Sequence, residues 1–434
     1  MENQNQESAP SQPNQRLGSP VYELQSPFSN EQTQKRNRPE SPQNESHDVS
    51  AQSAKRSRNA NLPPPSFPQE IIVEILANLP VKSLLRFRCV FKSWKSLISD
   101  PFFINKHLKR IQSDPKFFRK RVLINTLRPR MSIRYSIKSF NLSDTYEDSI
   151  VNTTEIEYPS RDVSRHDLIV GSCNGLICIT VGEYTVFLVN PTLRVFKKLP
   201  FLRFKDVRDC YTVYGFGFVA SVDDYKVVRF FCYRRRKSDD YKAIVSVYSL
   251  STNRWRRIPN SPFGVPANQP VRHANGTLNW SFFRGRDISS FTIVSLDLAR
   301  ETYEEVMQPC YGDGGAGERS LGVLDGCLCL LCHYRRSYAD VWVMKEYGKR
   351  ESWTKLVTLP YTQCPRSAYF GMPLFVSGSG EILLRFGMDL ILYDPKEDMF
   401  RMPAIPDDNN TFICQAAEVY EESLVSPIII NQSA

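Results

Sequence analysis

The chain has 434 residues, 41% of them hydrophobic and 24% charged, with a formal net charge of +10. This supports a large globular core plus a small second domain, and the basic balance favours acidic partners without choosing among protein, nucleic acid and lipid. Eleven cysteines, an odd number spread through apolar stretches, predict free thiols in a reducing compartment. No apolar run reaches the ~20 residues of a membrane span, and the first residues lack the apolar stretch of a secretory signal.

Residues 1–61 are rich in Gln, Asn, Ser and Pro. Such a segment buries too little surface to offset its ordering entropy, which predicts a disordered tail. It closes on Lys55-Arg56-Ser57-Arg58, which reads either as a solvated charge cluster or as a nuclear import signal. Residues 62–110 change character, and their apolar residues take helical spacing. Ile71, Ile72, Ile75, Leu76 and Leu79 mark a first helix that Pro80 stops. Ser83 is placed to cap a second helix carrying Leu84, Leu85, Phe87 and Val90. A third carries Trp94, Leu97 and Ile98, and Asp100-Pro101 ends it. From about residue 120 the pattern becomes short alternating strands with Gly, Pro, Asn and Asp turns, so residues 111–425 are expected to form one all-β domain, with 426–434 a short tail.

A repeat runs through the β region. Turn glycines precede apolar strands at Asn174-Gly175, Asn275-Gly276, Asp325-Gly326 and Ser379-Gly380. Aromatic residues follow strand-and-turn pairs at Phe196, Trp255, Tyr303, Trp353 and Phe400, in steps of 59, 48, 50 and 47 residues. A period near ~50 fits the four-stranded blade of a kelch-type propeller better than an irregular sandwich. Five units are visible. Strands near Val122-Leu123-Ile124 and Tyr135-Ser136-Ile137, joined by Phe412-Ile413-Cys414, can supply a sixth.

Motifs for chemistry fail on context. Cys329-Leu330-Leu331-Cys332-His333 has the letters of a haem attachment site, but residues three apart on a strand point to opposite faces. The same spacing disfavours zinc. The glycine run Gly312–Gly317 opens no helix and reads as a loop. No catalytic, metal-binding or cofactor-binding residues are assigned. Three basic, aromatic-bearing loops recur at one phase of the repeat, 20, 19 and 18 residues before the aromatic markers when counted from Arg235, Arg284 and Arg335. With Tyr233, Phe283, Arg286 and Tyr334 they form a candidate target-binding rim, since Arg and aromatic residues dominate binding hot spots. The bland reading is solvated hairpin tips.

The run from Phe67-Pro68-Gln69-Glu70-Ile71-Ile72 to Leu79-Pro80-Val81-Lys82-Ser83-Leu84-Leu85-Arg86-Phe87-Arg88-Cys89-Val90 resembles the F-box of plant F-box proteins. Lys92-Ser93-Trp94-Lys95-Ser96-Leu97-Ile98 and Asp100-Pro101-Phe102-Phe103 continue the match. Phe67 replaces the usual Leu, and Phe91 a small residue or Cys. The β region is similar to the F-box-associated domain of the same proteins, through Gly171-Ser172-Cys173-Asn174-Gly175, Asn190-Pro191-Thr192-Leu193-Arg194, Tyr214-Gly215-Phe216-Gly217-Phe218 and Asp223-Asp224-Tyr225-Lys226. The resemblance implies an α+β multidomain chain: a small all-α F-box followed by an all-β kelch-like propeller, after a disordered tail.

It further implies a non-enzymatic substrate-recognition subunit of a Skp–cullin–F-box ubiquitin ligase, located in the cytoplasm and/or nucleus. A Skp-type adaptor, and through it a cullin, would bind the F-box, and a target protein would bind the β domain; the net charge of +10 and the basic loops point to an acidic surface on that target. Phe67, Pro68, Ile71, Ile75, Leu76, Leu84, Leu85, Val90, Trp94 and Leu97 are expected in or just behind the adaptor interface. The rival reading packs them against the chain's own propeller. The competing functions are a propeller scaffold outside ubiquitin transfer, a propeller enzyme or carbohydrate-binding module, disfavoured by the missing catalytic constellation, and a basic nucleic-acid binder, disfavoured by the lack of a reader motif. Membrane, metal and cofactor are not expected.

Overall fold

A computed structural model describes residues 68–113, 120–128, 134–146, 150–158, 167–182, 184–202, 209–234, 241–267, 269–282, 290–311, 317–334, 337–361, 371–406 and 414–428. Four helices come first: α1 (Gln69–Ala77), α2 (Val81–Phe87), α3 (Lys92–Ile98) and α4 (Pro101–Ser113). Apolar spacing anticipates the first three. Ser83 does not cap α2, because the helix begins at Val81 with Pro80 at the N-cap, which leaves Ser83 inside the first turn.

The third helix ends at Ile98, before Asp100-Pro101 as expected, but Pro101 also opens α4, which the apolar spacing did not show. A proline at the first helical position loses no hydrogen bond, since that N–H has no partner within the helix. The Asp100 carboxylate accepts from the N–H groups of Phe102 (2.9 Å) and Phe103 (3.3 Å), which caps the new helix. The core of the helical unit holds Leu76, Ala77, Val81, Leu84, Ile98, Phe103 and Ile111. His107 lies buried in α4, with Nε2 2.9 Å from the Leu79 carbonyl and its ring stacked on Phe103.

Among the described residues, 24 strands form six antiparallel four-stranded sheets, the blades of a propeller. Blade 1 combines β24 (Cys414–Glu421), β1 (Lys120–Arg128), β2 (Arg134–Asn141) and β3 (Thr154–Glu155). Blade 2 is β4 (Asp167–Cys173) to β7 (Val195–Lys198), and blade 3 is β8 (Cys210–Val219) to β11 (Arg254–Arg257). Blade 4 is β12 (Arg272–Ala274) to β15 (Tyr303–Val306), and blade 5 is β16 (Arg319–Leu324) to β19 (Trp353–Pro360). Blade 6 is β20 (Gly371–Val376) to β23 (Met399–Arg401).

Blade 1 closes the ring with strands from both ends of the domain. Lys120 pairs with Glu421 and Val122 with Val419, with a bulge at Asn125/Thr126. The sixth unit foreseen in the sequence is this blade; Phe412 and Ile413 lie outside the described residues. Closure pairs a strand whose backbone groups would otherwise sit on an open edge.

The repeat has a physical basis at two places. The Asn174-Gly175, Asn275-Gly276 and Asp325-Gly326 pairs are two-residue hairpin turns joining first and second strands, as the pairings Cys173↔Leu176, Ala274↔Thr277 and Leu324↔Cys327 show. Both residues of each turn have positive φ, from 47° to 79°, which Asn, Asp and Gly tolerate. The aromatic markers all lie in the outermost strand of their blade. Three of them reach back to the preceding blade: Trp255 Nε1 donates to the Pro200 carbonyl (2.8 Å), the Tyr303 hydroxyl to Pro259 (2.6 Å), and Trp353 Nε1 to Met307 (2.8 Å). Each accepting carbonyl follows the outer strand of the blade before. Apolar clusters fill every gap between neighbouring blades around the ring.

Cys329 packs between blades 5 and 6, and Cys332 between blades 4 and 5. Strand alternation sends these two sulfurs to opposite faces, as expected. The ten described cysteines are all free thiols, and no His, Cys, Asp and Glu group among the described residues could hold a metal ion. No described helix is long and apolar enough to cross a membrane.

Candidate functional site

The helical unit divides the expected adaptor residues into two sets. Leu76 and Leu84 are buried in its core, 2% and 0% exposed, so they support the surface without forming it. Pro68, Ile71, Ile75 and Val90 are exposed; Leu85, Trp94 and Leu97 are half-buried. Phe67 lies outside the described residues. Ile71 and Ile75, one helical turn apart, share a face of α1. Two further exposed rings, Phe91 and Phe102, were not among the expected contacts. Phe91 meets Trp94 edge-on at 5.5 Å, and Trp94 meets Phe87 at 5.3 Å, so the turn into α3 presents an aromatic cluster. The rival reading, packing against the chain's own propeller, holds for part of the unit, since Leu193 and Leu424 from the ring touch the helical core.

The helical unit sits on the side of the ring that carries the two-residue turns, where Gln112 of α4 donates to Asn174 (3.0 Å). Connections between second and third strands leave from the opposite ends of those strands. In blades 3, 4 and 5 they include the three basic segments. Arg235, Phe283, Arg284, Arg286 and Arg335 lie outside the described residues, as do Gly312–Ala316 of the glycine run and residues 1–67. Tyr233 and Tyr334 are described and half-buried: Tyr233 stacks on Phe231 at 6.0 Å, and Tyr334 on Tyr338 at 4.8 Å. Tyr211 meets Tyr241 at 5.2 Å on the same side.

Between the blades runs a central cavity of about 1370 Å³. Arg272 of blade 4 reaches across it to Glu418 of blade 1 (3.0 Å), and its other terminal nitrogen meets the Met372 sulfur of blade 6. Ser172 of blade 2 donates to the Val419 carbonyl (3.0 Å) beside them. Burial pushes the Glu418 carboxyl up, opposed by Arg272 and Ser172.

Cys173 and His273 also meet there, with Sγ and Nδ1 3.8 Å apart. Burial pushes the thiol up to about 12 and the imidazole down to about 4, so both are neutral at pH 7. A nucleophilic thiol requires the thiolate, which this pair does not supply.

The buried histidines set an acid limit. Burial lowers His273 and His333 to about 4 from an ordinary 6.5. The unfolded chain therefore binds protons first as pH falls from about 6.5 to about 4, and stability is lost across that window, by up to about 3 kcal/mol per histidine. Glu418 and Glu421, raised by burial, act in the opposite sense in acid. Melting temperature is expected to fall between pH 7 and pH 5. A His273→Gln/His333→Gln variant should lose less over that interval; an equal loss would assign the effect to other groups.

Family comparison covers both parts of the chain. The F-box domain matches residues 65–106, and the F-box associated beta propeller domain matches residues 128–425. An F-box/kelch-repeat protein of Arabidopsis thaliana is 35% identical over 374 residues, covering 84% of this chain and 96% of the relative. The F-box protein CPR1 of Arabidopsis thaliana is 30% identical over 385 residues, covering 83% and 89%. The chain belongs to the plant F-box proteins, in which a helical F-box precedes an F-box associated β-propeller.

Proposed function

We propose that this chain is the substrate-recognition subunit of a Skp–cullin–F-box ubiquitin ligase, acting as a non-catalytic adaptor in the cytoplasm and/or nucleus. The observation that carries it is apolar surface left uncovered on the helical unit. Ile71, Ile75, Val90, Phe91 and Phe102 are 45% to 76% exposed although the unit packs on the ring. Clustered exposed apolar side chains mark an interaction site, and the F-box match supports a Skp-type adaptor as its partner class.

The mechanism is tethering. The F-box end is held by the ligase, and the propeller captures a target protein. This raises target lysines to an effective concentration in roughly the millimolar range near the ubiquitin carrier. The net charge of +10 favours a target with an acidic surface. Size-exclusion chromatography of the purified full chain with a purified Skp-type adaptor tests the reading: a stoichiometric complex is expected, and no complex at micromolar concentrations would overturn it.

The basic segments between second and third strands are the candidate target contacts. An Arg235→Glu/Arg284→Glu/Arg335→Glu variant is expected to keep its melting temperature and adaptor binding while target turnover falls. Turnover at the wild-type rate would place target capture elsewhere.

A further inference from the structure

The ring does not end its work at the closing strand. Glu422, Ser423, Leu424 and Val425 follow β24 directly and run between the ring and the helices. Successive side chains of an extended segment point opposite ways. Leu424, 4% exposed, enters the helical core beside Leu76, Leu84 and Phe103. Val425 enters the core between blades 2 and 3 with Leu188 and Tyr248, where Leu108 of α4 also lies. One short segment thus contributes to both cores.

Its backbone and polar side chains are held as firmly. Asn190, fully buried at the end of β6 (Thr185–Asn190), donates through Nδ2 to the carbonyls of Ser423 (3.0 Å) and Val425 (2.7 Å). Its Oδ1 accepts from the N–H groups of Thr192 (2.9 Å) and Leu193 (3.1 Å). That second pair fixes the turn from which Leu193 packs onto the helical core. The Ser423 hydroxyl donates to the Asn174 carbonyl (2.7 Å), in the turn that Gln112 of α4 also grips. Glu422, 5% exposed, lies 3.3 Å from Lys82 of α2 and 3.6 Å from Arg121 of β1, so a single carboxylate bridges helix and ring. Next to it, a Cβ at Gly175 would lie within 2.8 Å of Ser423 and the Glu421 carbonyl, so the glycine permits the close approach.

We infer that residues 422–425, clamped by Asn190, are a positioning element that locks the helical unit and the propeller into one rigid body. The consequence for ubiquitin transfer rests on the proposed ligase role; the lock does not. A fixed body holds the propeller at one distance and orientation from the adaptor, so only lysines lying in reach of the ubiquitin carrier are modified. Two bodies on a loose tether would expose many lysines in turn.

The test uses the full chain assembled with a Skp-type adaptor and cullin, with the chain's own propeller lysines as the ubiquitin acceptors. An Asn190→Ala/Leu424→Ser variant is compared with wild type and with the conservative Leu424→Met. Where circular dichroism shows the helices of the double variant still folded, adaptor affinity is expected to stay within about twofold, because the exposed helical surface is untouched. Mass spectrometry should find conjugation confined to a few lysines in wild type and in Leu424→Met, and spread over more lysines in the double variant. Small-angle scattering of the double variant should show an increased radius of gyration. An unchanged lysine pattern and an unchanged scattering profile overturn the lock. If the double variant loses adaptor binding because its helices unfold, Asn190→Ala/Glu422→Gln replaces it, since Leu424 then stays in the helical core. Should wild type itself bind no adaptor, the ligase role fails, and scattering of the chain alone still decides the lock.

Discussion

Leu84→Ala is expected to abolish adaptor capture by unfolding the helical unit, whereas Ile71→Asp with Ile75→Lys is expected to abolish it with the fold intact. Leu84 is 0% exposed at the centre of a core of only eight buried residues. Truncating a buried leucine costs about 2–5 kcal/mol, which is a large share of what so small a core can supply. Ile71 and Ile75 are 45% and 53% exposed, so their loss removes little burial. Asp in the first turn and Lys in the last also suit the helix dipole, which keeps the stability change within about 0.5 kcal/mol. Their cost falls on the partner's side: two anchors of an apolar contact become charges facing an apolar surface. Adaptor affinity should drop more than about tenfold. Circular dichroism melts and a binding titration separate the cases. If the isoleucine pair binds at wild-type affinity, this face of α1 is not the interface. Leu84 and Leu85, grouped together by the sequence reading, divide in the same way, since only Leu85 reaches the surface.

The sequence was most informative where structure is local. The aromatic markers fall in outer strands, from which Trp255, Tyr303 and Trp353 span the gap to the previous blade. The Asn-Gly and Asp-Gly pairs were legible because a two-residue turn demands positive φ at both positions. α4 was hidden because proline both stops a helix and starts one, and only the Asp100 cap decides between them. Asn190 stood out only as one of the residues that carry the likeness to the F-box-associated domain. Its main partner, Ser423, is 233 residues away, and no periodicity or motif encodes that contact. Phe91 was visible only as an apolar departure from the F-box pattern, and one aromatic substitution does not distinguish core from interface until the helix faces are fixed. Of the target-binding candidates, Tyr233 and Tyr334 lie at strand ends, and Arg235, Phe283, Arg284, Arg286 and Arg335 lie outside the described residues.

Glu418→Leu is expected to destabilise the propeller by about 3–5 kcal/mol, and adding Arg272→Met is expected to recover most of that loss. The two side chains are 19% and 9% exposed and pair across the cavity between blades 1 and 4. Arginine does not shed its proton, so removing the carboxylate leaves a guanidinium facing Met372 with its charge uncompensated. Replacing both charges with apolar groups of similar size removes the desolvation cost together with the attraction, which is why the double variant returns toward wild type. Urea unfolding of the two single variants and the double variant gives the coupling directly. A cost below about 1 kcal/mol for Glu418→Leu would mean that water in the cavity solvates Arg272 adequately, and the tie would then be a surface ion pair in effect. A large single cost with no recovery in the double variant would mean that the pair is needed to hold blades 1 and 4 in register across the ring.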